Sequence, residues 1–395
     1  MQEQSLKLTV VILTGGQATR MRPLSLGCSK SMLPFFGRPL LAYLLRDLSM
    51  TGLVRRALLT HPGVDDDIRL YFGATTDGVR LEYLSPQILT GTAAAIVSLL
   101  TESTEALSSP FLVIYGDSLL TMDYRALIEF HINKRASMTI ACHRPRFDAF
   151  LFETGSSHRQ RTNFGIVELQ PDGFVTHFEE KPYLDTIAAT FTCPMANAAV
   201  YVIDPFVLQS IPRPKDSNFD FAYNVIPWLL ENGERIAGMD IAPGFRIDMG
   251  TLSNYLSLHL AMLRGDVQIP DGAERFYNSH RMTVHSGAKI IPPIFLGEGA
   301  QIGKGAVIDS TVVGDRSVIG EGTRIRESVI LADTVIGAGA VIEGSIVGPH
   351  TQISNGVILP RGTVTSAWSR LGGAELVLPR DTVQGFFLDG SGERK

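Results

Sequence analysis

Residues 12–30, ILTGGQATRMRPLSLGCSK, decide how this chain is read. They complete an apolar run, Leu8 to Leu13, that empties into Gly15-Gly16. Thr19, Arg20 and Arg22 follow, and Lys30 comes ten residues past Arg20. Glycines let backbone N–H groups approach phosphate oxygens, and spaced cations neutralise them. The pattern predicts a buried strand that ends in a polyphosphate-binding turn. It is not the GxxxxGK[ST] loop, because no lysine follows Gly16 at that spacing.

The same rhythm continues to about residue 260. Leu8–Leu13, Phe111–Tyr115, Met138–Cys142 and Ala199–Ile203 are short apolar runs of the kind that strands buried on both faces require. Helical patterns lie between them. Pro39–Met50 carries Leu40, Leu41, Leu44, Leu45 and Leu48 on one stripe, and Asp123 caps a helical run to Lys134. Alternating strands and helices predict an α/β, Rossmann-like domain with a mainly parallel sheet, whose ligands bind at the carboxyl ends of strands. The glycine turn after Leu13 and the Gly116-Asp117 pair after Tyr115 both fall at such ends.

From residue 284 the chain repeats. Leu296, Val313, Ile330 and Val347 are seventeen apart, as are Ile302, Ile319, Ile336 and Ile353, and Ile308, Ile325, Ile342 and Leu359. The aliphatic steps are six, six and five, with glycine following at Gly297, Gly303, Gly314, Gly320, Gly337 and Gly348. This is a hexapeptide repeat, and three steps close one triangular coil of a parallel β-helix. The expected organisation is a first domain at 1–260, a connector at 261–283, a β-helix of about four coils at 284–360, and a cap and tail at 361–395. In the cap, Trp368, Leu371, Leu376, Val377 and Leu378 are expected to cover the open end of the helix. Residues 389–395 are polar and expected to fray.

Composition narrows the function. Of the 395 residues 45% are hydrophobic and 19% charged, enough for a large core. The net charge of −5 argues against a nucleic-acid partner, so any anion site is a local cluster of cations. The three cysteines, Cys28, Cys142 and Cys193, are odd in number and far apart, which fits a reducing, cytoplasmic setting. Neither a signal peptide nor a membrane-spanning apolar stretch is expected. The histidines form no cluster. The few coils and the lack of a long acyl-CoA loop set aside an acetyltransferase built around His350, and a pure scaffold would leave the phosphate-type cations unexplained.

GGQATRMRPLS…SK resembles the signature of the sugar-1-phosphate nucleotidyltransferases, the NDP-sugar pyrophosphorylases. Six further segments match in the family's order: Gly91-Thr92-Ala93, Tyr115-Gly116-Asp117, Phe164-Gly165-Ile166-Val167, Glu180-Lys181-Pro182, Asn197-Ala198-Ala199-Val200-Tyr201 and Asp248-Met249-Gly250-Thr251. They cover roughly residues 8 to 260. The repeat resembles the left-handed parallel β-helix that several branches carry, mannose-1-phosphate guanylyltransferases and ADP-glucose pyrophosphorylases among them.

The resemblance implies a reaction of an NTP with a sugar 1-phosphate to give an NDP-sugar and pyrophosphate. The sugar phosphate is its own nucleophile, so the protein must align two anions and offset charge on the leaving pyrophosphate. By the same resemblance Arg20 and Lys30 are catalytic and hold the triphosphate. Gly15, Gly16, Thr19, Gln87, Gly91 and Thr92 bind nucleotide. Gly165, Glu180, Lys181 and Asn197 bind the sugar phosphate, with Gly165 giving the sugar a close backbone approach. Asp117 and Asp248 hold Mg²⁺. The lean is toward GTP and mannose 1-phosphate, with thymidylyl, uridylyl or adenylyl transfer to glucose 1-phosphate as the alternative. The β-helix is expected to make a homo-oligomer.

The chain departs from the family pattern at several positions. Ala18, Ala94 and Ala198 stand where glycine is usual, and Ser29 replaces the proline before Lys30. A left-handed backbone at position 18 makes alanine about 1–2 kcal/mol costlier than glycine. These changes raise a second reading, a weakly catalytic regulatory paralogue that binds nucleotide sugar. The retained Arg20, Lys30, Asp117, Lys181 and Asp248 favour the enzyme.

Overall fold

The computed structural model describes residues 8–15, 18–60, 67–84, 91–94, 96, 109–144, 152–154, 160–212, 219–267 and 282–372. The chain divides into two compact units. One comprises Met1–Gly16 and Leu44–Ile247, the other Gln17–Tyr43 and Asp248–Lys395. Among the described residues no helix is long and apolar enough to cross a membrane.

The first unit is built on a mixed sheet. Its centre is parallel: β1 (Leu8–Leu13) lies between β2 (Val54–Thr60) and β4 (Phe111–Tyr115), and β3 (Val79–Leu84) pairs with β2. Val10, Val11 and Ile12 are fully buried, as are Phe111, Leu112 and Val113, because both faces of this centre are covered. After β5 (Ser118–Thr121) and β6 (Met138–His143) the sheet turns antiparallel. β7 (Ile166–Leu169) pairs with β8 (Val175–Glu179), and both β7 and β4 pair with β9 (Pro194–Ile203). β6 runs antiparallel to β9 and parallel to β10 (Ile236–Asp240), and β11 (Phe245–Asp248) pairs with β5. The leucine stripe predicted for 39–50 is the buried face of helix α1 (Leu40–Met50). Asp123 caps helix α2 (Tyr124–Lys134) by accepting from the Ala126 N–H at 3.0 Å.

In the second unit the segment 18–43 packs on helix α3 (Leu252–Arg264). The Tyr255 hydroxyl donates to the Pro34 carbonyl. The His259 ring lies against Phe35 (4.4 Å between centroids), Phe36 (5.1 Å, stacked) and Tyr255 (4.4 Å). Its Nδ1 donates to the Tyr255 carbonyl at 2.8 Å, while its Nε2 is buried with no partner among the described residues. Burial lowers its pKa to about 4.

The rest of the second unit is a three-sided, left-handed parallel β-helix. Every aliphatic residue of the three seventeen-residue registers is buried in one apolar core. Between coils, buried hydroxyls cross-link the backbone; Ser317 Oγ donates to the Leu331 carbonyl at 3.0 Å and accepts from the Thr334 N–H at 3.4 Å. The three faces differ. On the face of Phe295–Leu296, Val312–Val313, Val329–Ile330 and Ile346–Val347, the outward residues Phe295, Val312, Val329 and Ile346 are buried too. The Phe36 ring meets Phe295 edge-on at 5.3 Å. One corner is left-handed at Gly299 and, without glycine, at Arg316, Asp333, His350 and Trp368. Leu371 closes the core as expected, but Trp368 does not cover the end. It is 72% exposed and stacks on His350 at 4.0 Å, because its corner conformation carries the side chain outward. Leu376, Val377 and Leu378 lie outside the described residues.

Candidate active site

The carboxyl ends of β1 and β4 lie side by side. Leu13 is the register partner of Tyr115, and the Gly116 N–H donates to the Leu13 carbonyl at 3.0 Å. A Cβ at Gly116 would stand 2.9 Å from Ile12 Cγ2, so only glycine lets the two turns close up. Thr14 is held by Thr60 on the other flank: its N–H donates to Thr60 Oγ1 at 3.3 Å and its hydroxyl donates to the Thr60 carbonyl. This is the switch point of the sheet, where β2 and β4 leave β1 on opposite sides and open a crevice. Gly15 is exposed there and Asp117 half-buried, with the Ser118 hydroxyl 3.3 Å from Asp117 Oδ1. Asp248 ends β11, the strand paired with β5, which begins immediately after Asp117.

The antiparallel half supplies a second wall. The Asn197 N–H donates to the Gly165 carbonyl at 2.9 Å, which aligns β9 with the turn before β7. A Cβ at Gly165 would lie 2.6 Å from Glu180 Oε2 and 2.6 Å from the Phe178 ring. The glycine therefore makes room for Glu180, and the space beside its Cα is occupied by the protein itself, where the sequence implied a ligand's approach. Burial pushes the Glu180 carboxyl up to about 7, with Asp220 adding to the rise and Lys181 and Arg246 opposing it. Lys181 is left-handed (φ 50°) although it carries a side chain and precedes proline, two local rules broken at one residue. Asn197 is buried; its amide nitrogen donates to the Tyr201 hydroxyl at 2.9 Å and its oxygen accepts from the Ala199 N–H at 2.8 Å. Each amide atom keeps one further bonding position.

Between the walls stands Thr92. Its hydroxyl donates to Asp220 Oδ2 at 2.6 Å and accepts from the Phe221 N–H at 3.1 Å. A hydroxyl has one hydrogen and two lone pairs. The hydrogen points to the carboxylate, so Thr92 Oγ1 has no hydrogen left to donate and keeps one lone pair. The neighbouring Gly91 holds φ 112°, which favours glycine.

The phosphate-type segment belongs to the second unit. Ala18 is left-handed (φ 45°, ψ 36°), as the family's glycine implied, and its carbonyl accepts from the Ser25 hydroxyl at 2.9 Å. A 3₁₀ turn, Thr19–Met21, follows, with Met21 buried and Thr19 and Arg20 exposed; a second, Lys30–Met32, carries half-buried Lys30. The other left-handed alanine is Ala199 (φ 52°), not Ala198. A bulge between Asn197 and Tyr201 shifts the strand's register there and moves the glycine-type position one residue on.

The first unit thus gathers Gly15, Gly91, Thr92, Asp117, Gly165, Glu180, Lys181 and Asn197 around the ends of β1, β4 and β9. Thr19, Arg20 and Lys30 lie in the second unit, and Gly16 and Gln87 lie outside the described residues. Sequence reasoning missed four residues: Asp220, Tyr115, Tyr201 and Arg246. Asp220 had a local signal, since it caps the π-helical turn Phe221–Val225 by accepting from the Ala222 N–H at 2.8 Å. Arg246 lies two residues before Asp248, outside the matched segment, and had no signal of its own.

Residues 9–265 match the family model described as Nucleotidyl transferase, and residues 273–375 match that described as EIF2B subunit epsilon LbH domain. The chain is 30% identical to a mannose-1-phosphate guanylyltransferase of Mycobacterium tuberculosis over 319 residues, 78% of this chain and 79% of that protein. It is 24% identical to a glucose-1-phosphate adenylyltransferase of Bacillus mycoides over 402 aligned positions, 96% of this chain and 95% of that one. A protein of the same name from Bacillus cereus matches to the same extent.

Proposed function

The chain belongs to the nucleotidyl transferase family, and from that premise we propose that it is a sugar-1-phosphate nucleotidyltransferase that joins GTP to mannose 1-phosphate and releases pyrophosphate. The observation that carries the reading is the crevice at the switch point. There the glycine turn of β1 abuts Gly116-Asp117, and Glu180 and Lys181 form a wall across from it.

In this reading Gly15, Gly91 and the backbone at Thr92 line the nucleotide side, with Gly16 and Gln87. Thr19, Arg20 and Lys30 neutralise the triphosphate, and Arg20 offsets charge on the leaving pyrophosphate. Lys181 holds the sugar phosphate, while Glu180 and Asn197 accept and donate to sugar hydroxyls. Among the described residues no three His, Cys, Asp or Glu side chains gather into a metal cage. Magnesium needs none, since it is bound through one or two carboxylates together with phosphate oxygens and water. Asp117 and Asp248 are such a donor set. They would hold the ion against the phosphates, where it supplies charge neutralisation.

We assign the chemistry to residues 1–260, with 261–283 as connector, and homo-oligomerisation to the β-helix at 284–360, in a cytoplasmic setting. ATP with glucose 1-phosphate is the second reading, favoured by the near-complete coverage of the Bacillus relative. The test is pyrophosphate release from purified protein and Mg²⁺, with each NTP paired with each common sugar 1-phosphate. GTP with mannose 1-phosphate is expected to give the highest kcat/KM. A different best pair replaces the substrate assignment. No release from any pair, alongside measurable NDP-sugar binding, replaces the enzyme by a regulatory binder.

A further inference from the structure

The Asp220 carboxylate is bonded at both oxygens within the protein. Oδ2 accepts from the Thr92 hydroxyl at 2.6 Å, and Oδ1 accepts from the Ala222 N–H at 2.8 Å. Its own N–H donates to Asn224 Oδ1 at 2.7 Å. One residue back, the Phe219 carbonyl accepts from the N–H groups of Ala93 and Ala94 at 3.0 and 3.3 Å. The nucleotide-side turn is therefore fastened to the segment 219–225 by backbone and side chain together. That segment is π-helical, a form that concentrates at functional sites.

We propose that Asp220 is a positioning residue that couples the nucleotide-binding turn to the sugar-phosphate wall. The first link is the bond to Thr92. The second link is charge. Glu180 is faced by Lys181 on its own turn, by Asp220 from the π-helical turn and by Arg246 from β11, while the Tyr115, Tyr201 and Tyr223 hydroxyls feel both Glu180 and Asp220. Among these charged neighbours Asp220 is the one that favours a neutral Glu180, and Lys181 and Arg246 favour the carboxylate. The inference rests on the proposed function only for the names of the two walls; the bonds and the charge do not depend on it.

The experiment compares wild type with Asp220→Asn, Thr92→Val and Thr92→Ser. Two readouts need no turnover: hydrogen exchange at Ala93 and Ala94, and the infrared titration of the neutral Glu180 carboxyl, identified by its absence in Glu180→Gln. Both D220N and T92V are expected to speed exchange and to raise the nucleotide KM about tenfold, the scale of one charge-assisted hydrogen bond. The double variant is expected to lose little more than either single one, and T92S to recover most of the loss. Only D220N is expected to move the Glu180 titration to lower pH. The proposal is overturned if D220N leaves both exchange and titration at wild-type values, or if T92V and D220N act additively. If D220N does not fold, T92V against T92S decides the first link. Wild-type protein that releases no pyrophosphate from any substrate pair sinks the functional reading, while exchange and titration still decide the role of Asp220.

Discussion

Glu180 gives the site a pH dependence that can be worked out in advance. A sugar hydroxyl is best accepted by the ionised carboxylate, and burial raises its pKa in the free protein to about 7. Ionisation then falls from about nine-tenths at pH 8 to about one-tenth at pH 6. We therefore expect kcat/KM for the sugar phosphate to drop about tenfold across that interval, with an acid limb of unit slope. Stability moves the opposite way. The folded pKa lies above the ordinary value of 4.5, so the folded protein binds more protons between pH 4.5 and 7. The Glu180 contribution to stability therefore declines as pH rises through that window and levels off above it. The ceiling is about 3 kcal/mol, reduced by whatever solvent reaches a half-buried group. Glu180→Gln removes the titration, so relative to wild type the variant should gain stability in urea melts from pH 5 to pH 8, by up to that ceiling. In the rate profile it leaves only the limb that belongs to the substrate's phosphate. A Gln variant that keeps the full acid limb, or melts whose pH difference matches wild type, would refute the assignment.

Four further outcomes follow from the same geometry. Gly165→Ala places a methyl 2.6 Å from both Glu180 Oε2 and the Phe178 ring, so the carboxylate must move; KM for the sugar phosphate should rise at least tenfold while nucleotide binding by calorimetry stays near wild type. Asp117→Ala is expected to abolish pyrophosphate release with an unchanged circular dichroism spectrum, and wild-type rates would remove its metal role. Buried His259, with a folded pKa of about 4 and an ordinary value of 6.5, makes the folded protein bind fewer protons between those limits. Its contribution to stability should fall as pH drops from 6.5 to 4, by up to about 3 kcal/mol, opposing that of Glu180; relative to wild type, His259→Phe should gain stability in urea melts as pH drops through that window. Ala18→Gly relieves about 1–2 kcal/mol of left-handed strain against about 0.4–1 kcal/mol of added chain entropy. Its Tm should rise slightly, and a fall would mean that the Ala18 methyl is needed for packing.

The parts of the fold legible in sequence are those fixed by local pattern. β1 and β4 stand where their apolar runs placed them, since strands covered on both faces must be apolar throughout. The β-helix was legible because its seventeen-residue period is itself the structure. The antiparallel half was not, because nothing in 166–203 says that β9 will pair with β4, β6 and β7 at once. The glycine-type position was placed at Ala198 because a bulge cannot be seen in a single strand; only pairing shows that the left-handed residue is Ala199. Asp220 escaped for the same reason. Its partner Thr92 lies 128 residues away, and only folding joins them. Trp368 misled because an aromatic near a chain end reads as a lid, whereas a left-handed corner turns it to solvent.

Thr92 has one more consequence. The single hydrogen of its hydroxyl is committed to Asp220 Oδ2, so it cannot donate to a ligand while that bond holds. A base edge that needs a donor must find it elsewhere, in groups that still have a hydrogen to offer. A swap of nucleotide specificity that asks the Thr92 hydroxyl to donate should fail, however close to the base that turn comes to lie.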